Sequence, residues 1–183
     1  ADFERSIEIE PKELDAYTNL ALVLSCSQNY QTALAILDKA IAVDPQSWFV
    51  HEQKGLIYYF LDEYEAALDE LNLSEQLFPG GFFEPEELDK SIIYGHRGLV
   101  YAAMDQIENA RRDYQQALIY NPNDNMTVNN LGHLELEVGN PSVALPYFER
   151  AIKNGSLNPK TIQGRGVAYR ELGNYAHAMS DFE

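Results

Sequence analysis

Histidine and cysteine are the side chains in this chain best suited to chemistry, and their spacing works against it. His51, His96, His133 and His177 stand far apart, and no two lie at i, i+4. Paired imidazoles on one helical face, as a zinc site needs, are therefore absent from the sequence pattern. Cys26 is the sole cysteine, so no disulfide closes within the chain. With no motif around it that would make a nucleophile, it reads as a side chain packed near a helix end. No G-x-x-x-x-G-K-[ST] or G-x-G-x-x-G occurs, and Gly164-Arg165-Gly166 reads as helix packing rather than a phosphate loop. The carboxylates are scattered as on solvated helix faces. No catalytic, metal or cofactor site is expected within this segment, and the expected role is not that of an enzyme.

Charge narrows the partners. The chain carries 29 acids against 13 bases, a formal net charge of -16, which argues against binding a phosphate backbone. It fits a basic or apolar partner, or an acidic surface kept for solubility. From Asp62 to Asp89 there are ten acids and no Lys or Arg. Such a run is either a solvated outer face or a lure for a basic segment. The lone cysteine agrees with a reducing compartment, and a cytoplasmic location is expected. No run of 18 apolar residues exists, so direct membrane insertion is not expected. The chain starts without Met and inside a repeat, and reads as a fragment cut at both ends, which leaves a signal peptide open.

What must position these residues is a fixed beat. Ala33, Ala67, Ala110, Ala144 and Ala178 follow one another with steps of 34, 43, 34 and 34. Pro11, Pro45, Pro79 and Pro122 follow with steps of 34, 34 and 43. One insertion, at positions 82–90, explains the long step in both series, and a period of this size signals a repeat array. Within residues 14–47, Tyr17, Leu20, Ala21 and Leu24 recur at helical spacing. A break at Ser27-Gln28-Asn29 follows, then a second helix carrying Tyr30, Ala33, Leu34, Leu37, Ala40 and Ile41. It stops before Asp44-Pro45, because the residue ahead of proline is pushed out of the α region. The unit is helix, turn, helix, proline.

On these residues the chain resembles the tetratricopeptide repeat family. The matches are Leu131-Gly132, Gly98 with Tyr101 and Gly166 with Tyr169 on first helices, and Ala144 with Phe148 and Ala178 with Phe182 on second helices. The resemblance implies an all-α, right-handed superhelical solenoid of antiparallel helix pairs. A single array is expected over residues 1–183. It comprises a partial repeat at 1–13, full repeats at 14–47, 48–81, 91–124 and 125–158, an insertion at 82–90 and a truncated repeat at 159–183. Gly55, Gly98, Gly132 and Gly166 sit inside helices, where glycine costs about 1 kcal/mol against alanine, so close helix approach is expected there. The insertion should start the next helix early, near Pro85, after a bend at Gly80-Gly81. Phe82 and Phe83 are either a cap on a neighbouring helix or a contact for a partner.

Three departures from the pattern carry expectations. Lys54 and Arg97 fill the slot of Leu20 and Leu131, so their stems should lie along the core and their heads reach water. Ser156 replaces the terminal proline of one unit. Pro146 falls within a second helix and should kink it or delay its start.

The resemblance implies that first helices line a concave groove where partners bind as peptides or helices. The groove is then expected to show Leu22, Phe49, Glu52, Leu56, Tyr59, Phe60, Ile92, His96, Leu99, Met126, Asn129, His133, Gln163 and Arg170. One branch of the family grips acidic C-terminal tails with Lys, Arg and Asn. Here those basic slots hold Thr18, Phe49 and Ile92, so such a clamp is not expected unless Lys160 and Arg170 build one with further repeats. The apolar, aromatic middle favours an amphipathic helix or a hydrophobic peptide. The expected role is a non-catalytic protein–protein interaction scaffold. Two alternatives stay open. One is an interaction or regulatory domain of a larger enzyme (transferase, kinase or phosphatase) with its catalytic part elsewhere. The other is an array that self-associates end to end.

Overall fold

A computed structural model describes residues 13–79 and 85–183. Ten helices follow one another among them, and every regular element described is helical. They are α1 (Leu14–Cys26), α2 (Tyr30–Val43), α3 (Trp48–Phe60), α4 (Tyr64–Leu77), α5 (Pro85–Ala103), α6 (Ile107–Tyr120), α7 (Asn125–Glu137), α8 (Pro141–Lys153), α9 (Pro159–Glu171) and α10 (Tyr175–Phe182). Successive helices pair as antiparallel hairpins in an all-α solenoid. Two compact units divide between Glu86 and Glu87. The first holds α1 to α4, the second α6 to α10, and α5 begins at the division. The expected partial repeat at 1–13, apart from its last residue, the bend at Gly80-Gly81 and the phenylalanines Phe82 and Phe83 lie outside the described residues.

Each hairpin turns through one backbone device. Gln28, Asp62, Asp105, Gly139 and Gly173 all adopt positive φ, between 57° and 77°, and they keep the same beat as the alanines. In the first, the Gln28 amide donates to the Ser25 carbonyl at 2.9 Å and the Asn29 amide to Leu24 at 2.8 Å. The same pair of bonds recurs at all five turns, which is the Schellman helix end. The left-handed conformation suits glycine and is tolerated by aspartate. Gln28 has neither advantage, so α1 ends with local strain.

The other helix ends depend on proline. Asp44 and Asn121, each before a proline, leave helical geometry, with φ -138° and -130°. Where Ser156 stands in place of proline, α8 ends differently. Gly155 takes φ +89°, and the amides of Gly155 and Ser156 bond back to Ile152 and Ala151 at 2.9 Å each. Losing the proline thus converts this exit into a second glycine-type helix end. Pro146 lies inside α8, which still starts at Pro141, so the start is not delayed.

One fixed sequence offset sets how the two helices of a hairpin meet. A Cβ placed on Gly55 would come within 2.6 Å of Leu71, on Gly98 within 2.6 Å of Tyr114, on Gly132 within 2.9 Å of Phe148, and on Gly166 within 2.6 Å of Phe182. All four pairs share the same spacing along the chain. The helical glycines therefore make room for one large side chain of the second helix. Phe148 also faces Gly164 of the following hairpin, where a Cβ would stand 2.6 Å away. In the first hairpin the corresponding residues are Ala21 and Leu37, which share the core with Tyr17, Ala33, Leu34, Ala40, Val50 and Ile57. In the second unit Ala110, Tyr114, Leu131 and Leu134 form the core cluster.

Candidate protein-interaction surface

One step earlier in the same register, the slot of Leu20 and Leu131 behaves unlike the expectation. The head of Lys54 does not reach water. Its Nζ bonds Glu70 at 2.9 Å and Asp38 at 3.0 Å. Burial works to lower the Lys54 pKa, and the bonds to Glu70 and Asp38 outweigh it, holding the group above its ordinary value. Arg97 likewise meets Asp113 with two bonds, Nε to Oδ2 at 2.6 Å and Nη2 to Oδ1 at 3.1 Å. Arg165 repeats this with Asp181 at 2.9 and 2.5 Å. Glu70, Asp113 and Asp181 each follow their cation at the hairpin offset, a sequence separation of 16. Where the slot holds Leu20 or Leu131, the residue at that offset is Ile36 or Tyr147. The hairpin interface is thus filled either by an ion pair or by an apolar pair. The sequence carried this signal in the offset between the basic residue and its acid.

A second buried pair joins neighbouring hairpins in the second unit. Arg111 Nε bonds Glu135 Oε1 at 2.6 Å, and Asn140 donates to Glu135 Oε2 at 3.0 Å. Desolvation pushes the Glu135 carboxyl up, yet Arg111 and Asn140 together hold it below its usual range. These groups are tied up in packing and are not offered to a partner. Cys26 is exposed at the end of α1 rather than packed. Among the described residues no His, Cys, Asp and Glu side chains cluster as metal ligands would, and no helix is long and apolar enough to cross a membrane.

The expected groove residues fall into two groups by exposure. In the first unit Leu22, Phe49 and Phe60 are exposed, while Leu56 and Tyr59 are half-buried. Glu52 is only 3% exposed, so it faces packing rather than solvent. Aromatic rings gather at both ends of α3. Trp48 packs against Phe49 and Phe78 with ring centres 5.6 and 4.8 Å away. At the other end Phe60 stacks on Tyr30 at 5.7 Å and meets Tyr59 at 5.4 Å, and Tyr59 meets Tyr64 at 6.1 Å. The Tyr64 hydroxyl donates to Asp62 at 2.7 Å, which holds its pKa above the usual value.

In the second unit Ile92, Met126, Gln163 and Arg170 are exposed, and His96, Leu99, Asn129 and His133 are half-buried. Leu99, Ala102, Tyr114, Asn130, His133, Leu134 and Glu137 line an open cleft of about 140 Å³. His133 sits edge-on to Phe148 at 5.0 Å, and burial holds its imidazole below its ordinary pKa. Buried oxygens of Asn125 and Asn129 and Nε2 of His133 find no hydrogen-bond partner among the described residues. The three are spaced i, i+4, i+8 and so form a polar stripe along α7.

One register position stands out across the hairpins. Phe49, Ile92 and Met126 hold the second place of α3, the second repeat-equivalent place of α5 and the second place of α7, with steps of 43 and 34. They are 40%, 41% and 51% exposed. A large apolar side chain left open in this way suits contact, Phe49 in the first unit and Ile92 and Met126 in the second.

Models described as tetratricopeptide repeat match residues 3–35, 91–124 and 129–183. The chain is 24% identical over 166 residues to the human tetratricopeptide repeat protein 6, covering 91% of this chain and 30% of that protein. It is 23% identical to the BBSome complex member BBS4 of Xenopus tropicalis, over 76% of this chain and 25% of that one. It thus spans less than a third of the length of these two relatives. Among solved structures it resembles a chain of the APC/C hetero-tetramer Cut9-Hcn1, with TM-score 0.83, 17% identity and coverage of 98% and 34%. It also resembles YrrB, a TPR protein with an unusual peptide-binding site, with TM-score 0.68, 22% identity and coverage of 99% and 89%. At these identities the structural likeness speaks for the fold.

Proposed function

The chain belongs to the tetratricopeptide repeat family, and from that premise we propose that it is a non-catalytic scaffold for protein–protein interaction. It binds a peptide or helix of a partner on the faces of its first helices. The observation that carries this reading is the repeated exposure of Phe49, Ile92 and Met126 at one register position. The large side chains of the hairpin register are buried, whereas these three keep 40%, 41% and 51% of their surface open. An apolar face on a helix suits an amphipathic helix or an extended apolar segment. The relatives named above support the class, since YrrB carries a peptide-binding site and BBS4 is a member of a complex.

Peptide-array binding with Tyr59→Ala and Leu99→Ala tests the reading. Specific binding should weaken in at least one variant. Unchanged binding in both overturns the assignment of these faces. A second reading is end-to-end self-association, since neighbouring repeats stack on one another. Light scattering over a concentration series checks it, and a persistent monomer removes it.

A further inference from the structure

The first unit combines an open aromatic cluster with an acidic balance that the second does not share. Residues 13–79 contain eleven acids and only two bases, Lys39 and Lys54. Lys54 is buried and its charge is met by Glu70 and Asp38, which leaves Lys39 as the one exposed base of that stretch. Residues 85–183 hold thirteen acids and nine bases, a far more even balance. The acidic unit also presents the open end of an aromatic cluster. Phe60 is half exposed over Tyr30, Tyr59 stands beside it, and Asp62, Glu63 and Glu65 follow in the adjoining turn and helix start. Asp62 is engaged by Tyr64, while Glu63 and Glu65 are exposed.

We infer that the Phe60 and Tyr59 end of α3 docks a cationic amphipathic segment of a partner, whose Lys or Arg side chains lie over the aromatic rings and face Glu63 and Glu65 while its apolar residues cover Phe60, Leu56 and Phe49. This rests on the scaffold reading above and names the partner's chemistry. Ring faces attract cations through their quadrupole. An apolar face alone would accept many sequences, but an acidic surround rejects acidic segments by like-charge repulsion and draws basic ones in. The excess of carboxylates in this unit also speeds association with a basic segment, an effect that salt removes.

The test uses the whole 183-residue chain and three synthetic peptides of equal length. In one, Lys and Arg alternate with Leu and Phe. In the second each basic residue is replaced by Glu, and in the third each apolar residue is replaced by Ser. Calorimetry measures binding, and emission from Trp48, the sole tryptophan, reports on the face beside Phe49 and Phe78. The basic amphipathic peptide should bind and shift Trp48 emission, and the other two should bind more weakly. Its affinity should fall as salt rises from about 0.1 M to about 1 M, over which the screening length shortens from about 10 to about 3 Å. Glu63→Gln with Glu65→Gln should weaken it about threefold to tenfold while lowering the thermal melt by only a few degrees, since both acids also sit at the N-terminus of α4. Phe60→Ala should weaken it too. Because that change can loosen the stack on Tyr30, the glutamine pair is the decisive variant. Equal binding of the acid-substituted peptide overturns the inference, as does full affinity in the glutamine pair. Loss of binding on Leu99→Ala but not on Phe60→Ala moves the site to the second unit, which overturns the inference and spares the scaffold reading. Failure of every peptide to bind counts against both.

Discussion

Gly164→Ala asks whether the approach of helices in the second unit is set by the ring of Phe148. A methyl carbon at residue 164 would stand 2.6 Å from both Cε1 and Cζ of Phe148 and 3.0 Å from Cε1 of His133. An ordinary carbon contact is about 3.5–4.0 Å. The ring has little room to retreat, since it is fully buried and the same Cε1 and Cζ lie 2.9 and 3.0 Å from where a Cβ on Gly132 would be. Overpacking of this kind costs about 1–3 kcal/mol. Alanine recovers about 1 kcal/mol over glycine in a helix interior. The contact is far inside the normal distance, so the expected balance is a net loss of about 1–2 kcal/mol, or a drop of about 2–4 °C in Tm for each kcal/mol in a chain of this size. The assay is urea unfolding followed by far-ultraviolet circular dichroism. The same substitution is then made in a Phe148→Leu background, where the ring is gone and the propensity term should dominate. There Gly164→Ala should be neutral or stabilising, giving a coupling of at least about 1 kcal/mol between the two sites. A stabilising effect in the parent chain, or the same loss in both backgrounds, would refute the claim that glycine is there to admit the ring.

Other perturbations read the remaining features. Gln28→Gly should raise stability by about 1 kcal/mol, since it relieves a left-handed conformation that a long side chain resists, and Asp62→Gly should gain less; thermal melts compare them. Asp113→Ala should destabilise by about 1.5–3 kcal/mol, because it takes two charge-assisted bonds from the Arg97 guanidinium; urea midpoints measure the loss. The Glu135 carboxyl is held below its ordinary value of 4.5. Its stabilising effect is therefore complete above that pH, and is lost as pH falls through the lower, folded-state value. Glu135→Gln should lower stability at neutral pH and flatten the decline below about pH 4.5, as read from unfolding curves across an acid series.

Much of the architecture was legible because packing in this chain repeats. The alanine and proline series located both helices of each hairpin, and the helical glycines announced close approach before any partner was known. What stayed hidden depends on pairs that no single position reveals. Lys54 and Arg97 looked like side chains reaching for water, since a cation in an apolar slot has that default. Glu70 and Asp113 stand across the hairpin, on the second helix, and Asp38 meets Lys54 from the hairpin before. Arg111 and Glu135 escaped for a similar reason, because their bond joins different hairpins. Glu52 was placed on the groove by its position along α3 alone, and that position takes no account of how much the neighbouring helices cover. The turns were located, but their shared left-handed residue was not. Gln28, Asp62, Asp105, Gly139 and Gly173 have too little chemistry in common to betray one conformation.

The choice between an ion pair and an apolar pair at the hairpin offset has a consequence for how such a chain can be rearranged. A first helix bearing Arg97 matches a second helix bearing an acid, and one bearing Leu131 matches a second helix bearing Tyr147. A crossover placed in the turn between them would set a guanidinium against a phenol ring or a leucine against a carboxylate. A crossover between hairpins keeps each of these matches and cuts other bonds instead, such as Asp38 to Lys54, Arg111 to Glu135 and Glu149 to Tyr169. In the first and last of these, one oxygen-bearing partner is exposed, and water can replace what is lost. Glu135 is buried, and water cannot reach it so readily. The hairpin is thus the smallest segment that can be duplicated, lost or transplanted without a mismatch in its own interface. The junction between α6 and α7 is the seam among these three where hairpins are best moved together.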